Sequence, residues 1–181
     1  MTRSARRAML ALALALAASP AAAADLSITK TSSVVADNVN ALNPKALPGA
    51  TVDYAITVTD PLLNGVLPIK VVAAVTIVDA VPANTSLRVA DYGAAGSGPV
   101  EFADGSLLGT GLLASGVGYS FASLASMADG VDFSSDGVTW TYVPTPDANG
   151  YDARVKAIRV RLTGTQVAGT AFRLRFRVKL T

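Results

Sequence analysis

The chain has 181 residues, of which 51% are hydrophobic and 15% charged, with a formal net charge of +2 and neither cysteine nor histidine. That length suffices for one domain with a substantial core. Without Cys and His, the chain cannot form a disulfide, a Cys/His zinc site, a Ser-His-Asp triad or a haem site with the usual axial ligands.

Residues 1–24 carry the pattern of a secretory signal peptide. Three arginines precede an apolar run over residues 8–18, and the alanines at 22–24 close the segment in A-x-A form. A basic start, a short apolar stretch and small residues at the cut are typical of such peptides. The apolar run is too short to span a bilayer. We expect cleavage after Ala24, which gives an exported mature chain over 25–181 with no transmembrane segment.

Removal of the three leader arginines changes the charge balance. Twelve basic residues remain beside thirteen acidic ones, which gives the mature chain a net charge of −1. Residues 25–152 hold four basic and thirteen acidic side chains, whereas residues 153–181 hold eight basic and no acidic ones. Such asymmetry within one chain calls for an electrostatic explanation.

Period-two alternation recurs along the mature chain and predicts β-strands. In chain order, the strand candidates are 26–29, 52–59, 71–78, 85–92, 117–124, 139–143, 158–162 and 171–180. Residues 71–78 are apolar almost throughout, which predicts a strand buried on both faces. About eight short strands separated by Gly, Pro, Asn and Asp turns predict an all-β fold, an antiparallel immunoglobulin-like β-sandwich. We expect a single enlarged domain whose excess length lies between Gly93 and Tyr151.

Parts of the chain resemble the conserved repeat domain of bacterial and archaeal exported surface proteins. The similar segments are 25–30 (the opening strand), 48–59 (a Pro-Gly turn and an aromatic-bearing strand), 78–85 (an aspartate and a proline leaving a strand) and 169–180 (the closing strand). Together they cover roughly 25–92 and 165–181. The resemblance implies an Ig-like β-sandwich on an exported protein with no assigned enzymatic activity, and it supplies no functional residues.

The C-terminal segment 171–180 alternates apolar and basic residues, so as a strand it presents one apolar and one cationic face. The preceding strand candidate adds further arginines. The candidate interaction face consists of Arg159, Arg161, Arg173, Arg175, Arg177 and Lys179. If residues 164–170 form a hairpin loop, the two strands pair and gather these cations. Like charges opposite each other destabilise a sheet, so such a face needs acidic neighbours, bound anions or solvation.

Three interpretations of this face stay open. In the first, the cations keep a solvent-facing surface soluble and pair with acids elsewhere in the chain. In the second, they dock on an acidic surface of a second copy or of another surface protein. In the third, they bind an anionic glycan or lipopolysaccharide. Nucleic acid is disfavoured, because no aromatic residue interleaves the cations for base stacking.

Two further patterns lie in the region that the resemblance does not cover. Residues 134–140 resemble the Asp-box, a turn of secreted β-proteins, and we expect Asp136 to accept backbone N–H bonds while Trp140 packs inward. Five aspartates could contribute calcium ligands, although their spacing matches no regular calcium loop. They are Asp129, Asp132, Asp136, Asp147 and Asp152. We interpret them as solvated loop carboxylates and expect no cofactor.

The remaining features give little support to catalysis. Residues 27–30 match S-x-x-K, but they lie in a predicted strand, whereas that dyad needs a helical turn. Glu101 is the only glutamate that could pair with Asp104 for glycoside cleavage. The stretch 105–128 carries no charge. We expect it to be buried; if its leucines remain exposed, they form an apolar docking patch.

The sequence therefore predicts an exported, non-enzymatic structural, adhesion or interaction protein of the bacterial cell surface or periplasm. Self-assembly through sheet edges and the cationic C-terminal strand is the favoured mechanism. The first alternative is a monomeric binder of anionic glycan or lipopolysaccharide through the arginines. The second alternative is a hydrolase with a site in residues 93–151.

Overall fold

The computed structural model of the protein describes residues 25–66 and 69–181. Within these residues the chain is all-β, with twelve strands, one 3₁₀ turn over Leu62–Gly65 and no α-helix. All strand pairs among them are antiparallel. No helix in this part of the chain is long and apolar enough to cross a membrane. The predicted signal peptide, 1–24, lies outside the described residues.

The largest sheet is built around the C-terminal strand. Its members are β1 (Ser27–Ala36), β2 (Thr51–Thr59), β5 (Thr85–Arg88), β6 (Val100–Asp104), β9 (Tyr151–Asp152) and β12 (Ala171–Leu180). The order is β1-β2-β12-β5-β9, and β6 also pairs with β12. β12 is therefore central: β2 pairs with it on one side, and β6 and then β5 pair with it on the other.

Two three-stranded sheets complete the domain. Their members are β3 (Val72–Ala73), β4 (Thr76–Ala80), β7 (Val117–Gly118), β8 (Val131–Ser134), β10 (Ala157–Arg161) and β11 (Thr163–Gln166). One sheet has the order β4-β10-β8 and the other the order β3-β11-β7. Only Leu162 separates β10 from β11, and its N–H donates to the Val75 carbonyl at 2.9 Å. The two small sheets therefore continue one another around a bend.

One hydrophobic core takes buried side chains from all three sheets. β12 contributes every second residue to it: Phe172, Leu174, Phe176 and Val178, each at most 2% exposed. The predicted apolar face of the C-terminal strand is thus confirmed. The arrangement is compatible with a β-sandwich, since each sheet buries one face against the shared core.

The prediction of one strand buried on both faces over 71–78 is wrong. Ala74 has a φ of 52°, and the left-handed conformation interrupts the strand between β3 and β4. Val71 and Val78 are 67% and 57% exposed. Exposure alternates along β4, with Thr76, Val78 and Ala80 exposed, because these residues lie on the face of the strand that is turned away from the core.

The region between Gly93 and Tyr151 differs most from the expected strand pattern. The predicted strand 117–124 shortens to β7, and 139–143 contributes only an isolated bridge between Tyr142 and Phe133. Strands β6 and β8, which the alternation does not predict, supply core side chains instead.

The expected hairpin between the two arginine-bearing strands is also wrong. β10 pairs with β4 and β8, while β12 lies in the large sheet. Residues 163–166 form β11, and only then does a turn lead into β12, with the Thr170 N–H donating to the Val167 carbonyl at 3.2 Å. Separation of the two strands keeps their arginines off directly opposed positions, where like charges would repel.

The bend between the small sheets can be tested at Gly164, with Gly137 as a matched control. Both have a φ near 80°, which costs an alanine about 1–2 kcal/mol. A Cβ at Gly164 would collide with the Gly116 carbonyl oxygen, whereas a Cβ at Gly137 would meet nothing within 4 Å. In urea unfolding, we expect Gly164→Ala to lose about 2 kcal/mol more stability than Gly137→Ala. Equal losses would contradict the tight contact.

Candidate interaction face

The cationic positions of β12 face acidic residues of the flanking strands. Arg177 stands opposite Asp53 of β2, and Arg175 stands opposite Glu101 of β6. The Arg177 guanidinium donates to both oxygens of Asp53, from Nε to Oδ1 at 2.6 Å and from Nη2 to Oδ2 at 3.0 Å. Arg175 Nη2 donates to Glu101 Oε1 at 2.8 Å. The registers of β12 with β2 and with β6 bring each arginine next to its acid, because directly opposed side chains lie on the same face of a sheet.

Tyr92 covers these two arginines from the loop after β5. Its ring centroid lies 4.9 Å from Arg175 Cζ and 5.1 Å from Arg177 Cζ, within the range of a cation–π contact. The Tyr92 hydroxyl donates to Asp53 Oδ2 at 2.5 Å. Asp91 holds the loop in place by accepting the N–H groups of Gly96 and Gly98, each at 2.8 Å. The Tyr92 ring therefore covers Arg175 and Arg177 at the centre of the cationic face.

The electrostatics of this cluster follow from partial burial. Burial alone would raise the pKa of Asp53, but hydrogen bonds from Arg177 and Tyr92 outweigh it and lower the pKa below its ordinary value of 3.8. The hydrogen bond to Asp53 raises the pKa of Arg177. Burial, together with the Asp53 charge, raises the pKa of Tyr92 to about 12. The cluster therefore holds a fixed ion pair and a neutral phenol across the physiological range.

Arg159 and Arg161 share a different acid on the small sheet. Asp132 of β8 has a side chain only 1% exposed, and its Oδ2 lies 2.8 Å from Arg159 Nε and 2.9 Å from Arg161 Nε. Arg159 Cζ also lies 4.8 Å from the centroid of the Trp140 ring. A buried carboxylate between two guanidiniums is compensated locally, so these cations serve the fold.

Arg173 and Lys179 are the two members of the candidate face that form no salt bridge within the described residues. Arg173 lines a hollow of about 530 Å³ together with Glu101 and Asp104, so acidic groups stand beside it there too. Four of the six predicted cations thus pair with acids of the same chain, which is the first of the three interpretations.

The interpretation of the five aspartates as solvated loop carboxylates is wrong for Asp129, Asp132 and Asp152, which are buried, because each of the five has local hydrogen-bond or ion-pair partners that compensate its charge. Asp132 pairs with arginines, and the other four accept backbone N–H groups of nearby residues. Within residues 25–66 and 69–181, no three acidic side chains are grouped so that they could hold a metal ion. Asp136 accepts the N–H groups of Val138 and Thr139 at 2.8 and 2.7 Å, as the resemblance to the Asp-box implies.

Lys30 forms a contact that the sequence analysis does not anticipate. It lies opposite Ile56, so its side chain is on the core-facing side of β1. Its Nζ lies 2.7 Å from Asp79 of β4 and 5.0 Å from the centroid of the Tyr54 ring. The pair bridges the exposed margins of two sheets. The available signal was that Lys30 breaks the apolar series begun by Leu26 and Ile28.

Arg177 and Arg173 lie on the same face of β12 and provide a matched test of the ion pairs. Arg177→Gln leaves the Asp53 carboxylate, 7% exposed, without its partner, and we expect a loss of about 2–3 kcal/mol in the free energy of unfolding. Arg173→Gln breaks no salt bridge and should cost less than about 1 kcal/mol. Chemical denaturation of both variants measures the difference; similar losses would mean that the Asp53 pair contributes little.

The same pairs determine how stability depends on pH. A carboxyl whose pKa is lowered by folding contributes stability above its unfolded pKa, and this contribution is lost as pH falls through the folded pKa. Asp53, Asp104 and Asp152 all have lowered pKa values. We therefore expect the urea concentration at the unfolding midpoint to decrease when the pH is lowered below about 4. Since the chain has no histidine, this concentration should change little between about pH 5 and 8. A larger change between pH 8 and 5 than below pH 4 would contradict this.

No family model, curated protein or solved structure matches this chain. The resemblance of 25–92 and 165–181 to the repeat domain of exported surface proteins therefore stays a prediction from those residues. The function of the domain is to be inferred from its own contacts, charges and exposed surfaces.

Proposed function

We propose that the protein is an exported, non-enzymatic structural or interaction domain of the cell surface or periplasm, folded as an Ig-like β-sandwich, which assembles by strand pairing at the free edge of β1. The observation that carries this proposal is the exposure of β1. Among the described residues it pairs only with β2, and nine of its ten residues are exposed. An unpaired row of N–H and C=O groups is a template for another strand.

Length distinguishes β1 from the other edges of the sheets. β1 has ten residues, whereas the opposite edge of its sheet, β9, has two, and the outer strands β4 and β8 have five and four. Most proteins keep edge strands short or covered to avoid unintended pairing. β1 contains no proline, so every residue retains its N–H group. A long edge of this kind is suited to β-augmentation.

The Lys30–Asp79 salt bridge restricts which strands can pair with the edge of β1. An inward-pointing charge on an edge strand is a device that opposes indiscriminate pairing. Here Asp79 compensates the charge, and its side chain is 15% exposed. The bridge ties β1 to β4 across the margin of the domain and leaves the outer side of β1 open. We expect it to hold β1 in one register, which strand addition requires.

The alternatives from the sequence have less support. An anionic glycan would need cations that are free to bind it. Four arginines of the candidate face instead form salt bridges with carboxylates of the same chain: Arg159, Arg161, Arg175 and Arg177. A glycosidase would need Glu101 and Asp104 as a catalytic pair. Glu101 is bound by Arg175, and Asp104 accepts hydrogen bonds from the backbone and side chain of Ser115.

Hydrogen exchange followed by mass spectrometry tests the proposal. We expect alternate amides of β1, those directed away from β2, to exchange rapidly in the monomer and to become protected by at least about tenfold in the assembled protein. Protein recovered after export is the sample, since its N-terminus also reports whether residues 1–24 are removed. Assembly without added protection of β1, or a monomer at every concentration, would contradict the proposal.

Adjacent proline substitutions provide a matched pair on the same strand. Successive N–H groups of a strand point to opposite sides, so one of Thr31→Pro and Ser32→Pro removes an outward N–H and the other an N–H bonded to β2. Exchange in the monomer shows which is which. The outward substitution should abolish strand pairing at β1, seen as loss of the added amide protection, with little loss of stability, whereas the inward one should destabilise the fold. If β1 in the outward variant is still protected on assembly, β1 is not the joining edge.

A further inference from the structure

We infer that the end of the domain next to the start of β12 is a docking surface for a second copy of the chain. Three groups of residues meet there, 62–66 with 69–71, 105–116, and 165–169 at the end of β11, and they form what is called here the apolar tip. Its most exposed side chains include Leu62, Leu63, Ile69, Leu112, Leu113 and Val167, between 54% and 80% exposed. This surface adjoins the start of β1, since Asn64 and Lys70 both contact Asp25, but it consists of side chains from these segments and not of the backbone edge of β1.

Contacts between the loops make the tip one continuous surface. The Val167 N–H donates to the Ser115 carbonyl at 2.8 Å, and the Ser106 N–H donates to the Leu112 carbonyl at 3.0 Å. The Ser106 hydroxyl lies 3.3 Å from the Gly169 carbonyl. A Cβ on Gly169 would lie 3.0 Å from Leu62 Cδ1, so Leu62 packs against the turn before β12. The three segments therefore lie side by side, and their exposed leucines and valines belong to one patch. Contiguous exposed apolar surface of this kind marks interaction sites.

The tip is also almost free of charge. Among its residues, Lys70 is the single charged one, and its Nζ lies 3.2 Å from Asp25. The rest of the domain carries dense charge in the form of ion pairs, so the tip differs sharply in composition. Depletion of charged residues distinguishes the buried centre of protein interfaces from the remaining surface.

Leu113 is held in a conformation that its own side chain disfavours. Its φ is 53°, a left-handed value that costs a non-glycine residue about 1–2 kcal/mol. The side chain is 65% exposed, so burial within the domain does not offset this cost. Glycine would suit the backbone better. An exposed leucine at a strained position indicates that its side chain contacts something outside the domain.

The tip offers both a projection and a hollow, which points to a second copy as the occupant. The hollow has a volume of about 450 Å³ and is lined by Leu62, Val66, Ile69, Val71 and Val167. Leu112 and Leu113 extend from the neighbouring loop. In a two-fold dimer the same patch serves both subunits, so the leucines of each copy can fill the hollow of the other.

The size and chemistry of the patch agree with this occupant. A stable interface buries about 800 Å² per partner, with a centre that is about 65% apolar, hence roughly 500 Å² of apolar surface. Nine aliphatic side chains more than half exposed supply an area of that order. They are Leu62, Leu63, Val66, Ile69, Val71, Leu107, Leu112, Leu113 and Val167.

Light scattering over a concentration series tests the inference on protein recovered after export. Leu113→Gly should relieve backbone strain, so we expect an unchanged or higher melting temperature together with at least about a tenfold weaker dimer. Leu112→Asp should weaken the dimer by about 100-fold or more, because it buries a charge at the centre of the interface. The control is Leu42→Asp, since Leu42 is fully exposed in a loop near the opposite end of β12 and should leave the dimer unchanged.

Three results would overturn the inference. The first is a wild-type monomer at millimolar concentration, and the second is a dimer that both tip variants retain. The third is that the wild type floats with neutral phosphatidylcholine vesicles whereas Leu112→Asp does not, which would make lipid the occupant. The outward proline variant of β1 should keep the tip dimer, so failure of edge pairing and failure of this inference are distinguishable.

Discussion

The ion pair between Arg177 and Asp53, roofed by Tyr92, is the interaction on which the arrangement of the large sheet depends. β12 carries core side chains on one face and four cations on the other, and it is central, so its cationic face cannot turn away from neighbouring strands. A row of like charges in mid-sheet is tolerable only if the flanking strands bring acids into register. Asp53 on β2 and Glu101 on β6 do so, at 2.6 and 2.8 Å from their arginines. This requirement helps to determine which strands lie beside β12.

Because most of these arginines are neutralised by acids of the same chain, binding to a partner depends on other surfaces. The acidic body and basic C-terminal segment of the chain meet within one molecule, as Asp132 with Arg159 and Arg161 shows on the second sheet. Most of the cations of the candidate face are therefore paired with acids within the folded chain. Among the described residues, two extended surfaces remain without a partner: the edge of β1 and the apolar tip, in which Lys70 is the single charged residue. We propose both as surfaces for association.

How much the sequence predicts depends on how local the signal is. β2 and β12 are predicted almost to the residue, because alternation over nine or ten residues is a local property. Strands of two to five residues, such as β6 and β8, gain their structure from tertiary context, which overrides weak propensity. The partner of Arg177 is 124 residues away, so no spacing in the sequence could identify Asp53. The expected burial of the leucines in 105–116 is wrong for Leu107, Leu112 and Leu113, which the loop leaves exposed.

The salt dependence of molar mass tests the central claim most directly. If the cations are satisfied within each molecule, assembly depends on backbone hydrogen bonds and apolar contact, which salt does not screen as it screens exposed charges. Light scattering on the purified protein should therefore give oligomers whose mass at about 1 M salt equals or exceeds that at low salt. Dissociation to monomers as salt rises would show that the arginines join different molecules, and would contradict the account.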